Sequence, residues 1–339
     1  MIKFVQYGCG KMSKYTVPYA KEKNMKLVGA IDNNPDVIGK DFYGVKIVGT
    51  DNAKELLKKT KPDICIVETM SLLSDVKEAL LLCAELGINA ITTCEEAFFS
   101  YNSNPTLTKK IDLLAKKNNC TITGTGYQDA FWGNLISTLC GSTDKIIKIK
   151  GKSSYNVEDY GIALAEAHGA GMSVKDFNSK IASADNISDR KRNNLIKNGE
   201  FLPSYMWNVN GWLCDKLGLT VTCQTQKCVP QFCDKDIFSS TLNMDIKKGI
   251  CTGMSAVVTT KTKEGITIET ECIGKVYSSD DYDCNIWSIE GVPNTELIIN
   301  KPDTVSLTCA TIVNRIPDVI NSKPGFVPTS RMGELKYIK

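Results

Sequence analysis

Two rhythms of apolar and polar positions divide the chain. Over the first 125 residues, short apolar runs alternate with longer segments of helical period. Runs at 2–7, 27–31, 45–48, 63–68, 89–93 and 121–124 read as strands, several of them apolar throughout, as parallel strands buried on both faces require. Between them, helices are predicted after the Gly8–Ser13 turn, over 53–59, from about 74 and over 107–117. In the third of these, Val76, Leu80, Cys83 and Ala84 recur at helical spacing and Gly87 suits the cap. Past Gly126 the rhythm changes. Residues 145–153 alternate as a strand, and a polar, aromatic-bearing region runs to 236. Segments 253–262, 265–274, 284–291 and 295–299 then alternate with period two, with turns at 263–265 and 278–282, as in an antiparallel sheet. A last helical stretch, 304–320, stops before Pro324-Gly325 and is expected to return to the first unit.

This order predicts an α/β protein. A Rossmann-type, doubly wound parallel sheet spans 1–128, an α+β domain with a mainly antiparallel sheet spans 129–303, and a C-terminal helix and tail cover 304–339. At 339 residues, 42% hydrophobic and 23% charged, the chain is long enough for two cores. The net charge of +3 is small and dispersed, so no nucleic-acid partner is expected. No run approaches the roughly 20 apolar residues of a membrane span, and the chain enters a strand without a signal-peptide pattern, so no membrane partner and a cytoplasmic location are expected. Most of the 14 cysteines sit in apolar segments as small hydrophobes. Cys223, Cys228 and Cys233 lack zinc-module spacing and only one histidine occurs, so no metal is expected.

The turn Gly8-Cys9-Gly10-Lys11-Met12-Ser13 follows the first strand and opens a helix. Gly8 permits a tight turn, Gly10 lets a pyrophosphate approach the backbone, and the helix start offers N–H groups, with Lys11 and Met12 beside them. Ser13 replaces the usual third glycine and is small enough for close packing. Asp32 ends the second strand, 22 residues after Gly10, where a carboxylate accepts hydrogen bonds from an adenosine ribose. It also repels a 2′-phosphate, and Asn33 and Asn34 supply no positive charge, so NAD is favoured and NADP remains admissible.

Ligands of open parallel sheets bind beyond the carboxyl ends of strands. That rule selects 8–13, 32–34, 68–71 (with Thr69 and Met70), 93–96 and 124–128. Thr93 precedes the adjacent carboxylates Glu95 and Glu96, which either complement a helix dipole or serve the chemistry beside a nicotinamide. The second unit offers Trp132, the run Tyr155-Asn156-Val157-Glu158-Asp159-Tyr160 and the lone His168 before Gly-Ala-Gly. Each is also readable as core or scaffold. Only four of the 41 basic residues are arginines, which makes Arg190-Lys191-Arg192 a solvated charge run or a carboxylate grip.

The stretches Val5–Ser13, Ile91–Phe98, Gly126–Asp129, Ser153–Gly161, His168–Gly171, Asn208–Trp212 and Val313–Asp318 together resemble the 2,4-diaminopentanoate dehydrogenases, which share their architecture with dihydrodipicolinate reductase and native amine dehydrogenases. The resemblance implies NAD(P)-dependent oxidative deamination of the C4 amine of a small diamino acid, with ammonia released. It implies Glu95 as the central acidic group, with Glu96 open to a shared role, and aromatic pocket positions at Trp132, Tyr155 and Tyr160. Tyr155, Tyr160, His168 and Asn156 are expected to hold the amines, Arg190 or Arg192 a carboxylate, and Asn314 in the last helix the cofactor. It also implies a homodimer through the exposed face of the second sheet. Rival readings are an imine reductase, whose basic histidine-containing loop is not evident, a dehydrogenase of simpler amines or 4-oxo acids, and a dinucleotide-binding protein without turnover.

Overall fold

A computed structural model describes residues 1–339, with the side chains of Tyr160 and Ala163 outside the described set. In the first unit, β1 (Lys3–Tyr7), α1 (Ser13–Glu22), β2 (Lys26–Asp32), β3 (Asp41–Phe42), β4 (Val45–Gly49), α2 (Ala53–Thr60), β5 (Ile64–Val67), α3 (Leu73–Glu85), β6 (Asn89–Thr92), α4 (Pro105–Lys117) and β7 (Thr121–Gly124) follow one another. The second unit continues with α5 (Leu135–Gly141), β8 (Lys145–Asn156), α6 (Ile162–Ala167), α7 (Val174–Phe177), α8 (Ser183–Asp185), α9 (Asp189–Asn198), α10 (Tyr205–Leu217), β9 (Val221–Gln231), β10 (Ile237–Ser239) and β11 (Met244–Ile246). It closes with β12 (Gly253–Thr262), β13 (Thr267–Lys275), β14 (Cys284–Val292) and β15 (Thr295–Asn300), before α11 (Thr304–Asn321) and β16 (Gly325–Phe326).

The first sheet runs β16-β7-β6-β5-β1-β2-β4-β3, parallel except for the β3–β4 pair. The order reverses at β1, between β5 and β2, so a crevice opens beyond the carboxyl ends of these strands. One face packs Cys65, Val67 and Ile122 against α3, with its Leu80, and α4. The other packs Phe4, Ile64, Ile66 and Ile91 against α1 and the apolar stripe Ile312, Val313, Ile316 and Val319 of α11. The last helix therefore covers the first sheet, and β16 extends that sheet beside β7.

The second sheet runs β15-β14-β8-β13-β12-β9, antiparallel except between β8 and β13. Strand β9 falls in the polar, aromatic-bearing region, where the sequence pattern singled out no strand. It is an edge strand, paired with β12 alone, and carries Pro230, which an edge tolerates. Helix α10 lies buried between the sheets and is polar as well as apolar. Asn210 Nδ2 donates to Thr260 Oγ1 at 3.1 Å while its Oδ1 accepts from Thr270 Oγ1 at 2.8 Å. Asn208 Nδ2 donates to the Phe99 carbonyl and to Ser103 Oγ. Gly211 permits the approach, since a Cβ there would lie 2.4 Å from Asn102. The Asn208–Trp212 motif thus locks the two units together. Among the described residues no helix is long and apolar enough to cross a membrane.

Candidate active site

The dinucleotide turn has the shape a pyrophosphate needs. Gly8 has φ +96°, and a Cβ on it would lie 2.2 Å from the Glu68 carbonyl, so no other residue fits. Above Gly10 a Cβ would meet nothing within 4 Å, which leaves room for an incoming phosphate. Ser13 Oγ donates to the Gly10 carbonyl at 2.8 Å, so the residue in the third-glycine position ties the turn to α1. Asp32 accepts from the backbone N–H groups of Cys9 at 2.6 Å and Asn34 at 2.8 Å. These bonds aim its half-buried carboxylate alongside the turn, with lone pairs left for ribose hydroxyls. Lys11 is exposed at the turn's edge. These residues fit a nicotinamide dinucleotide.

From Met12 a cavity of about 320 Å³ runs between the two units. Thr69, Met70 and Thr93 line it at the ends of β5 and β6, and Glu95 lies beyond them. Tyr127 and Gln128 follow β7; Trp132, Ser153, Ser154, Tyr155 and Leu164 form the wall from the second unit, and Thr304, Val305 and Thr308 of α11 also line it. Burial raises the Glu95 carboxyl above its ordinary range, opposed by a hydrogen bond from Ser71. Its neighbour points elsewhere. Glu96 is 3% exposed, and its oxygens accept from the Leu73 backbone N–H at 2.7 Å and from Ser103 Oγ at 2.7 Å. It caps the start of α3 and is absent from the cavity wall.

A second carboxylate, to which sequence reasoning attached no role, lines the cavity. Glu68 follows β5 directly and lies under the turn. Thr16 Oγ1 donates to its Oε1 at 2.6 Å and Gln6 Nε2 to its Oε2 at 2.8 Å. Burial pushes its carboxyl up to about 7, partly offset by those two bonds.

Trp132 is held in the wall by Nε1 donating to Asn285 Oδ1 at 2.9 Å. It rides on a π-helical turn, Asp129–Asn134, whose anchor is a wholly buried ion pair between Arg315 Nε and Asp129 Oδ2 at 2.7 Å. Tyr155 lines the cavity, and its hydroxyl lies 2.7 Å from His168 Nε2. His168 Nδ1 lies 2.8 Å from the Leu164 carbonyl, an acceptor only, so the proton resides on Nδ1 and Nε2 accepts from the tyrosine. Burial lowers the His168 pKa and favours this neutral form. The histidine expected to hold amines stands behind Tyr155 and Leu164 and binds two wall residues instead.

Other expected site residues lie away from the cavity. Asn156 Oδ1 accepts from the Glu158 N–H, and Asn314 Oδ1 accepts from the Ile338 N–H, which ties α11 to the tail. Arg190 is exposed on α9. Arg192 is 3% exposed and donates to Asp189 and to the carbonyls of Asp185, Ile187 and Gln226. Among the described residues no Lys, Arg or His lines the cavity. The Tyr160 side chain lies outside the described residues.

No family model matches the chain. It is 24% identical over 299 residues to a 2,4-diaminopentanoate dehydrogenase of Acetoanaerobium sticklandii, a match that spans 84% of this chain and 79% of that protein. Its fold superposes on a biliverdin reductase from Synechocystis, solved with biliverdin and NADP+, with a TM-score of 0.57 at 11% identity, over 96% of this chain and 93% of that one. That likeness bears on the fold alone. It superposes more closely on an amine dehydrogenase from Mycobacterium smegmatis, with a TM-score of 0.83 over 99% of this chain and 97% of the other. Sequence identity to that enzyme is 35%. A dinucleotide turn, a half-buried carboxylate at a strand end and this near full-length identity lead to one conclusion: the chain is an oxidoreductase that belongs to the amine dehydrogenase family.

Proposed function

We propose that this protein oxidatively deaminates a small primary amine carried on a secondary carbon, giving the ketone and ammonia, with NAD as the preferred acceptor. The observation that carries the reading is Glu95, a half-buried carboxylate on the wall of a cavity that starts at the dinucleotide turn, with its carboxyl raised by desolvation. The dinucleotide, when bound, accepts the hydride from the carbon bearing the amine. The chain's own part is charge and water control. The substrate nitrogen must be neutral as hydride departs, because only its lone pair can form the C=N bond. Ionised Glu95 stabilises the resulting iminium and orients the water that attacks it. The carbinolamine then collapses to ketone and ammonia. Trp132, Tyr155 and Leu164 keep other water away from the reacting carbon.

The relative's name puts forward 2,4-diaminopentanoate as the specific substrate, and we propose its deamination at C4 as a step of ornithine breakdown. One observation favours a second reading, an amine without a carboxylate: no cation lines the cavity among the described residues. A buried carboxylate without a cation or several donors is costly. NADH formation with the stereoisomers of 2,4-diaminopentanoate and with carboxylate-free secondary-carbon amines separates the two, and silence across the panel refutes both. For self-association we propose the outer face of the second sheet, where Thr225 and Lys227 adjoin Val257, Thr259 and Lys261. Sedimentation as a monomer refutes that assignment.

A further inference from the structure

Gln128 is 7% exposed and lines the cavity, yet its Nε2 is buried with no hydrogen-bond partner among the described residues. Buried amides are ordinarily satisfied, and an orphaned one needs a reason. The other glutamines near the core illustrate the rule. Gln6 Nε2 donates to Glu68, Gln224 Nε2 to the Trp207 carbonyl, and Gln226 Nε2 to Asp185. The orphan also stands on a rigid support. The next residue, Asp129, is fixed by Arg315, by Thr125 Oγ1 at 2.9 Å and by Asn134 Nδ2 at 2.8 Å. Gly126, two residues before, leaves room for the amide, since a Cβ there would lie 3.0 Å from Gln128 Oε1.

Position in the sheet tells which ligand the amide serves. Met12 follows β1, Thr69 follows β5, Glu95 follows β6 and Gln128 follows β7, so the cavity wall moves strand by strand from the dinucleotide turn towards the second unit. Gln128 is the last of the series and leads directly into the turn that carries Trp132. It therefore lies at the substrate end. A primary amide both accepts from N–H and donates to oxygen, and the deamination proposed above passes through a carbon that bears nitrogen, then both, then oxygen. We infer that Gln128 contacts the substrate directly, its amide hydrogen-bonding the nitrogen and oxygen carried by the reacting carbon opposite Glu95.

This inference rests on the proposed deamination, and its test keeps the two apart. Gln128→Met preserves the length and removes the amide; Gln128→Glu preserves the shape and removes the donor. With an amine that the wild type oxidises, kcat/KM is expected to fall roughly ten- to a hundredfold in either variant, the range for a lost hydrogen bond to a polar or charged partner. The Kd for NADH stays within twofold. The ligand-free Gln128→Met protein melts at or above the wild-type temperature, because an orphaned polar group has been removed, whereas an amide serving only the fold gives a lower Tm. Unchanged kcat/KM in both variants, or a loss matched by weaker NADH binding, overturns the assignment. A wild type that oxidises no amine overturns instead the deamination reading beneath it.

Discussion

Glu68 is a carboxylate that the fold holds where ionisation is costly, and replacing it by an amide should stabilise the protein in a pH-dependent way. Its ordinary value of 4.5 is pushed to about 7 in the folded protein, first by burial and against two hydrogen bonds that pull it down. At about 1.4 kcal/mol per pH unit, that gap is worth on the order of 3 kcal/mol. Below 4.5 the group is neutral in both states and the folded protein bears no penalty. Between 4.5 and 7 the unfolded chain ionises while the folded one does not, so stability drains away as pH rises and the loss is complete above 7. Glu68→Gln removes the ionisation. The introduced amide still accepts from Thr16 or Gln6, and it offers a donor to Gln6 Oε1, which is buried without a partner. Allowing about 1 kcal/mol for one imperfect hydrogen bond, the variant should gain about 2 kcal/mol over wild type at pH 8 and show no gain at pH 4.5. Urea unfolding of both proteins at the two pH values measures the difference. A gain independent of pH, or a less stable variant at pH 8, would refute the argument that desolvation dominates at this site.

Three further outcomes test the site and its support. Glu95→Gln should leave NADH affinity within a few fold and lower kcat by about 10²- to 10⁴-fold; in the wild type, the acidic limb of the rate profile should lie above the ordinary carboxylate range, because burial raises that carboxyl. Asp32→Ala should weaken NAD about tenfold or more and NADP less, as measured by fluorescence titration, and an unchanged preference would remove Asp32 from the ribose site. Arg315→Met strands the buried Asp129 carboxylate and should cost about 3–5 kcal/mol in urea unfolding. Adding Asp129→Asn should restore part of that loss, and a single variant as stable as wild type would mean the pair anchors nothing.

The order of elements in the first unit was legible in the chain because parallel strands are buried on both faces and so stand out as apolar runs. The Gly8–Ser13 turn and Asp32 were legible for a related reason: backbone shape and a strand-end carboxylate are local demands, met within a single βαβ stretch. Strand β9 was not legible, since an edge strand with solvent on one side needs no strong apolar alternation. Helix α10 was not legible either, because its buried asparagines look polar until Thr260, Thr270 and Ser103 are brought to them from distant segments. The tertiary structure alone separated Glu95 from Glu96, since a turn between adjacent residues sends one carboxylate to the cavity and the other to the start of α3. It alone showed that Arg192 and Arg315 are consumed by internal carboxylates and carbonyls, that His168 braces Tyr155, and that Gln128 is left with an amide to offer. Hydrophobic period and turn chemistry are properties of neighbours in sequence, so the chain by itself determined the architecture and the kind of cofactor. Whether a polar group is spent or available depends on partners tens or hundreds of residues away, and only folding decides that.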